Sequence, residues 1–447
     1  MSPQTTTRER KERPALFDDQ SQSDDGSLWA ALLSKENLSR ALKRVEAKKV
    51  APGIDGMTTT ELRPWLHVHW PEVAKSLEDG TYRPTPVRRV TIPKPGGGER
   101  DLGVPTMLDK FIQQAIVGVL NPIFDPEFSE SSFGYRPKRS AHQAVKAARD
   151  HIAAGSQWAV EIDLEKFFDR VNHDVLMQRV ARKVDDKRVL KLVRRFIESG
   201  VMVDGVKQAT EEGTPQGSPL SPLLSNIMLD DMDRELERRG HRFVRYADDA
   251  RIFVSSERAA ERVLDGVSDF VERRLKLKVN REKSKVTDAS HMTLLGFGFY
   301  FWCGGTVRIK VARGSITRLK VRLRELTRRN WGVSMQRRIE RTSTFIRGWT
   351  SYFHIADDAV MISSVDKWLR RRLRQVYWKQ WKRFRTKVTK LMSHGIGRDK
   401  AYMWACSQKG PWRVAGSQVL QVALPNSYWQ NLGLVGLEQA WKRYQCT

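Results

Sequence analysis

One thirteen-residue segment, RFVRYADDARIFV (242–254), constrains this chain more than any other. Two apolar arms flank Ala247–Ala250, a spacing that predicts a β-hairpin with two adjacent carboxylates, Asp248 and Asp249, at its tip. Any fold that buries both arms must also supply a cation or strong donors to the like charges of the tip. A second segment poses the same problem. WAVEIDLEKFFD (158–169) predicts a strand with Trp158, Val160, Ile162 and Leu164 on one face and Glu161 and Asp163 on the other. Asp163 therefore interrupts a strand expected to be buried. Alone, an Asp-Asp tip reads first as a polar hairpin turn. A third carboxylate on an outward strand face of a basic protein weakens that reading, because three converging carboxylates can hold two Mg²⁺ ions roughly 3.5–4 Å apart.

The chain is strongly basic. Its 447 residues carry 79 Lys+Arg against 52 Asp+Glu, a formal charge of +27. Binding a polyanion would relieve the self-repulsion, with nucleic acid the leading partner and an anionic membrane surface the second. Residues 308–387 hold 23 Lys/Arg and 5 Asp/Glu, so two thirds of the net charge sits in under a fifth of the chain. A single basic cluster is equally well a solvated helical face. This stretch is 80 residues long and interleaved with Trp331, Trp349, Trp368, Trp378 and Trp381, a composition that suits phosphate contact with base stacking.

Several classes are excluded or disfavoured. No apolar run approaches the ~20 residues of a membrane helix, so no membrane-spanning segment is expected, and with nucleic acid the leading partner on charge no membrane is named among the expected partners. The polar, mixed-charge start lacks an apolar h-region and does not read as a secretory signal. Cys303, Cys406 and Cys446 give no CxxC pair, no zinc spacing and no disulfide framework, which points to a reducing cytosol.

Periodicity predicts an α+β chain. Residues 1–27 read as a flexible tail and 28–45 as helical, followed by the turn-rich loop VAPGIDG (50–56). Strands are expected around 81–106, with PGGG (95–98) as a hairpin turn. Helices are expected over 107–124, 139–155, 171–200, the later part of 211–240, and 257–276, and a strand over 294–302. Beyond 313 the pattern is nearly all helical, with Ile316, Leu319, Leu323 and Leu326 on one stripe and Leu369, Leu373 and Val376 on another.

Five blocks in order carry a family resemblance: IPKPGGGERDLGVPTMLDKFIQQAI (92–116), SESSFGYRPKRSAHQAV (129–145), EIDLEKFFDRVNH (161–173), GTPQGSPLSPLLSNIMLDDMD (213–233) and FVRYADDARIFV (243–254). The chain resembles the reverse transcriptases encoded within bacterial group II introns, most closely the short, endonuclease-less class-C type. FIRGWTSYFHIADD (345–358) and VDKWLRRRLRQVYWKQWKRFR (365–385) are similar to the thumb, or maturase (X), domain of that family. The resemblance implies a right-hand polymerase: fingers, a palm with an antiparallel sheet and the YADD hairpin, then an all-α basic thumb. The implied boundaries are an N-terminal extension over 28–80, fingers and palm over 81–303, the thumb over 304–387 and a small DNA-binding-like region over 388–447. No endonuclease domain is expected to follow.

The resemblance also implies site residues. Asp163, Asp248 and Asp249 would bind two Mg²⁺ ions, with Mn²⁺ as a substitute and the Leu164 carbonyl as a further ligand. Phe168 would lie against the incoming sugar and exclude a ribose 2′-hydroxyl; the other reading of it is ordinary core packing, a job that falls to Phe167 beside it. Lys94 and Arg100 would contact the triphosphate, a task that suits cationic donors. Gln216 would line the nucleotide pocket with Gly217 beside it; Ser218 stands where the family often has a second glycine. Asn280 and Lys283 match the segment after the palm helix, and Lys283 would be nucleotide-binding. Pro52, Gly53 and Ile54 would touch template, Leu295 and Gly296 would form a primer-grip strand, and Arg370, Arg371 and Arg374 would contact the template–primer duplex. The implied partners are group II intron RNA, an RNA template with a DNA or RNA primer, target DNA and dNTPs, in a bacterial cytoplasm and at the nucleoid when bound to target. The sequence leaves oligomeric state open. Two further readings stand beside this one: an RNA-binding splicing maturase without polymerase activity, and a domesticated or defence- or repair-linked reverse transcriptase.

Overall fold

Arg242–Tyr246 and Asp249–Val254 pair antiparallel with Tyr246 opposite Asp249, so the hairpin forms where its apolar arms predict. Only Ala247 and Asp248 remain in the loop. Ala247 has φ +59°, the backbone state that the tight primed hairpin turns require at their first position. The computed structural model describes residues 17, 27–48, 50–93, 99–203, 206–208, 213 and 217–445. They divide into two compact units, one running to Thr287 and the other from Asp288 onward with Ile152–Ala154. The division falls ahead of the 303/304 boundary read from the sequence.

In the first unit, Trp158–Ile162 pairs antiparallel with the second hairpin arm, placing Glu161 opposite Arg251 and Ile162 opposite Ala250. The sheet order is Arg242–Tyr246, Asp249–Val254, Trp158–Ile162, Lys285–Asp288. Val160, Ile162, Phe243, Ala250 and Ile252 join one core with the helices Met107–Phe124 and Ser221–Arg238. The opposite face is not outward at Glu161, which is only 9% exposed. Arg251 lies 3.4 Å from it, so the charge is buried with a partner.

A second sheet combines Val87–Pro93 with Glu99–Val104, antiparallel with Val90 opposite Leu102. Val201–Val203 joins Val87–Pro93 in parallel, and Val206–Gln208 completes the sheet. The expected turn at 95–98 lies outside the described residues. The helical stretch expected over 28–45 is two helices, Leu28–Leu33 and Lys35–Ala47, because the Ser34 hydroxyl accepts from the Asn37 N–H and starts a new helix. The 171–200 stretch likewise splits into His173–Val180 and Lys187–Ile197, capped by Asn172 and Asp186.

The second unit has its own core. Leu319, Leu323, Leu369, Leu373 and Val376 meet in it from the helices Arg313–Leu326 and Ala359–Gln380, together with Ile339 and Ile346 of Met335–Phe353. The strand expected over 294–302 is broken. Thr293–Leu294 and Phe297–Phe301 fold back on each other around Leu295 and Gly296, with φ +51° and +85°. Val307–Val311 forms the edge of this small sheet. Its outer groups are taken up by the 357–358 segment. Asp357 and Asp358 accept from the Ile309 and Val311 N–H groups at 3.3 and 3.1 Å, and the Asp357 N–H donates to the Ile309 carbonyl at 2.7 Å.

The tryptophans expected to offer stacking faces are largely internal. Trp378 and Trp381 are buried, and Trp349 and Trp368 pack on the core. Cations of the same chain cover several rings: Arg324 and Arg372 lie on Trp368, Lys387 on Trp378, and Arg338 and Arg341 on Trp331.

Candidate active site

The antiparallel register brings two of the three predicted aspartates together. One step beyond the Ile162–Ala250 pair, Asp163 falls opposite Asp249, on the sheet face that also carries Glu161 and Arg251. Asp163 is anchored through its backbone. Its N–H donates to the Ser284 hydroxyl at 3.0 Å, and its carbonyl accepts from the Asn280 N–H at 2.8 Å. The Glu165 N–H donates to the Lys278 carbonyl at 2.8 Å, and Leu164 pairs with Val279 between these two bonds. Leu164 thus occupies a non-hydrogen-bonded position, and its own carbonyl faces the other edge, toward the hairpin.

The charges are arranged around Arg251. Its guanidinium forms ion pairs with Asp249 and, at 3.4 Å, with Glu161. Burial pushes the Asp249 carboxyl above the ordinary carboxylate range; Arg251 opposes that rise, and the like charges of Glu161 and Asp163 add to it. Asp163 is half exposed, and the Lys283 ammonium stands 3.9 Å from it. Among the described residues no three His, Cys, Asp or Glu side chains are gathered as a metal site. The Asp249 carboxylate is engaged by Arg251 instead. The donors still suit a hard divalent cation: carboxylate oxygens, one of them desolvated beside two like charges, and a backbone carbonyl.

A cavity of about 380 Å³ adjoins the hairpin tip, lined by Asp248, Phe168, Gly217, Ser218 and Tyr135 and also by Arg44, Lys48, Val50, Lys110 and Gln114. Phe168 is both buried in the core and part of this wall, so the two readings of that ring are compatible. Gly217 has φ +103°, and a Cβ there would meet the Gly103 carbonyl oxygen at 3.2 Å. Ser218 is accommodated by a hydrogen bond to the Gln113 side chain. Lys94 and Gln216 lie outside the described residues, and Arg100 is described in its backbone only.

The loop at 50–56 is docked on the helix Met107–Phe124. The Lys110 ammonium donates to the Ala51 carbonyl at 2.8 Å, and Gly53 lies so close to Thr106 that a Cβ would sit 2.7 Å from its Cα. Burial lowers the Lys110 pKa to about 8. Pro52 is half-buried and Gly53 buried, leaving Ile54 as the exposed residue of the three. Arg44, Lys48, Lys110 and Tyr135 had no role in the sequence reading. Tyr135 lay within the FGYRP block, and its φ of +59° marks a strained position that the sequence alone does not reveal.

Other predicted residues belong to the second unit. Leu295 and Gly296 form a turn rather than a strand, fastened by the Tyr352 hydroxyl on the Leu295 carbonyl at 2.9 Å and by the Ser315 hydroxyl on the Gly296 carbonyl at 3.0 Å. The three arginines expected at a duplex are turned inward. Arg374 is buried and donates to the Leu424 carbonyl at 3.2 Å. Arg370 pairs with buried Asp366, and Arg371 stacks 4.2 Å from the Trp412 ring. Arg371 and Arg374 tie the long helix to the segments that follow it, while Arg370 pairs within the helix itself. Exposed cations at the end of this helix and just beyond it include Lys379, Lys382, Arg383, Arg385 and Lys390.

Residues 92–299 match the family described as Reverse transcriptase (RNA-dependent DNA polymerase), and residues 316–394 match Group II intron, maturase-specific domain. Protein YkfC of Escherichia coli (strain K12) is 32% identical over 273 residues, 53% of this chain and 72% of that protein. The Group II intron-encoded protein LtrA of Lactococcus lactis subsp. cremoris is 29% identical over 303 residues; the match covers 53% of this chain and spans 50% of that protein's length. Among solved structures, a partial Cas6-RT-Cas1--Cas2 complex shares 26% identity over 56% of this chain and 43% of that one, with a TM-score of 0.35. The first match takes in the whole sheet that carries the aspartate hairpin, and places the chain among the reverse transcriptases, a metal-dependent class that generally uses Mg²⁺. With the maturase-specific match beyond residue 316 and the extent of likeness to YkfC, the chain belongs to the family of group II intron-encoded reverse transcriptases and maturases.

Proposed function

We propose that this chain is an RNA-directed DNA polymerase of a group II intron, of the class-C type, which extends a primer 3′-hydroxyl with dNTPs on an RNA template. The observation that carries the reading is the antiparallel register that brings Asp163, one residue past the Ile162–Ala250 pair, close to Asp249, with Asp248 lining a cavity that Phe168 and Gly217 also line. Asp163, Asp248, Asp249 and the Leu164 carbonyl would hold two Mg²⁺ ions, or Mn²⁺ in their place. Such ions activate the attacking hydroxyl and steady the leaving pyrophosphate. For Asp249 to serve, its carboxylate leaves Arg251, whose guanidinium keeps Glu161 as a partner. Phe168 closes the sugar side of the pocket against a 2′-hydroxyl, and Lys283, Lys94, Arg100 and Gln216 supply polar contacts to the nucleotide. The docked loop at 52–54 meets the template.

Residues 288–447 would bind intron RNA and so assist splicing, retrohoming into target DNA and synthesis primed there. Their 30 Lys and Arg against 8 Asp and Glu, a surplus of 22, support this assignment. Phosphate contact would fall to the exposed cations between Lys379 and Lys390 rather than to Arg370, Arg371 and Arg374. The proposed setting is the bacterial cytoplasm, and the nucleoid when the chain is bound to target DNA; no described helix is long and apolar enough to cross a membrane.

The deciding experiment measures dNTP incorporation on a primed RNA template with Mg²⁺. Extension that Asp248→Asn abolishes supports the polymerase. Retained RNA binding with no extension by the unaltered chain would instead favour a splicing maturase without polymerase activity.

A further inference from the structure

Beneath the hairpin tip, on the sheet face away from Asp163 and Asp249, lies a buried polar cluster that the polymerase chemistry does not use. Arg245 is fully buried, as is Asp233 of the helix Ser221–Arg238. The guanidinium grips Asp233 through a two-pronged contact, Nε to Oδ1 at 2.7 Å and Nη2 to Oδ2 at 2.5 Å. That fork alone would neutralise both charges. The remaining nitrogen, Nη1, donates to the Asn226 side-chain oxygen at 2.9 Å and to the Ala247 carbonyl at 3.0 Å. Asn226 passes the connection on, its amide donating to the Gly134 carbonyl at 2.9 Å.

Two of these segments also meet through their backbones. The Arg245 N–H donates to the Ser131 carbonyl at 2.9 Å, and the Arg245 carbonyl accepts from the Phe133 N–H at 2.8 Å. Gly134 lies directly against the turn: a Cβ there would stand 2.2 Å from the Ala247 nitrogen. The peptide before Ala247 is therefore pressed by Gly134, and the carbonyl after it is held by Arg245. Between them Ala247 keeps a positive φ that costs an L-residue roughly 1–2 kcal/mol. The peptide so fixed is the one that leads into Asp248.

We propose that Asn226, Asp233 and Arg245 are positioning residues for the catalytic turn: they clasp the 131–134 segment, the 221–238 helix and the Ala247 carbonyl together, and so set where Asp248 and Asp249 stand. The proposal rests on the reading of those two aspartates as the polymerase carboxylates. It predicts that the clasp acts on the chemical step and not on the capture of substrates, because none of its three side chains lines the cavity.

Two variants test it. Asn226→Ala cuts the link to Gly134 and leaves the Arg245–Asp233 ion pair in place, so the fold is retained. Arg245→Lys keeps a cation beside Asp233 but cannot reach Asp233 and the Ala247 carbonyl together. Each is compared with the unaltered chain by amide hydrogen exchange over residues 243–250, by thermal melting, and by primer extension. The expected result is exchange in that segment faster by about tenfold or more, with kcat lower by a similar factor and KM for dNTP within about twofold. A merely structural pair would lower Tm and leave the kcat of the folded protein alone. Wild-type exchange at 243–250 in both variants overturns the proposal, as does a fall in kcat without faster exchange there. Should the unaltered chain not extend a primer at all, the polymerase reading fails, and the exchange comparison still decides whether the clasp holds the turn.

Discussion

The two units of this chain carry very different charge. Residues 288–447 have a surplus of 22 positive charges, while residues 1–287, with 49 Lys and Arg against 44 Asp and Glu, have a surplus of only 5. The unit with the paired aspartates is nearly balanced, and its strong cations are spent on local partners: Arg251 on Asp249 and Glu161, Arg245 on Asp233. The other unit also uses arginine internally, at Arg338, Arg371 and Arg374, yet keeps a large excess facing solvent. A net charge therefore locates a polyanion surface only after the inward-turned cations are subtracted. On the proposed function, chemistry and long-range attraction fall to different parts of the molecule.

The largest expected effect breaks the comparison on its acidic side. Asp248→Asn lowers primer extension by about a thousandfold, ~4 kcal/mol in the barrier, while RNA affinity in a filter-binding titration stays unchanged. A dependence of RNA binding on Asp248 would show that the two units do not divide the labour. Next in size, Arg245→Leu leaves Asp233 buried without a counter-charge and costs about 3 kcal/mol in denaturant unfolding.

The basic side is sharpened by contrasting exposed with inward cations. Replacing Lys379, Lys382, Arg383 and Arg385 together with Gln reduces the slope of log affinity against log salt by about 3, near 0.7–0.9 per lost phosphate contact. Arg374→Met leaves that slope unchanged and costs about 1–2 kcal/mol of stability, because its hydrogen bonds end on the Leu424 carbonyl. The smallest effect concerns Lys110. Its pKa is about 8 when folded against an ordinary 10.5, so the unfolded chain binds more protons between those values. Stability rises as pH climbs from 8 to 10.5, and Lys110→Met flattens that rise in melting curves taken across the range.

Much of the first unit was legible because its segments solve local problems. Alternating apolar residues fixed the hairpin and the Asp163 strand, and the two-residue tip left only one register. Helix ends were less legible, since Ser34 and Asp186 start new helices inside runs whose apolar spacing continues past them. The partnering of charges could not be read at all. Nothing in the spacing of Glu161, Asp249 and Arg251 says which will pair, and an arginine-rich helix looks the same whether Arg374 faces solvent or a carbonyl fifty residues on. Tryptophan misled for a related reason: the ring that stacks on a base also packs well in a core beneath an arginine, and here Trp368 and Trp378 do the latter. The two-residue turn at Leu295 and Gly296 was hidden because a bulky residue at positive φ leaves no compositional trace.

The border strand Val307–Val311, with two of its amides closed off by Asp357 and Asp358, has a consequence for handling this protein. An open border of that length is a template on which a second molecule can stack by backbone pairing. With the carboxylates in place, concentrated stocks are protected from that route to fibrils. Swapping both for alanine frees those amides and would raise light scattering on standing relative to the unaltered chain.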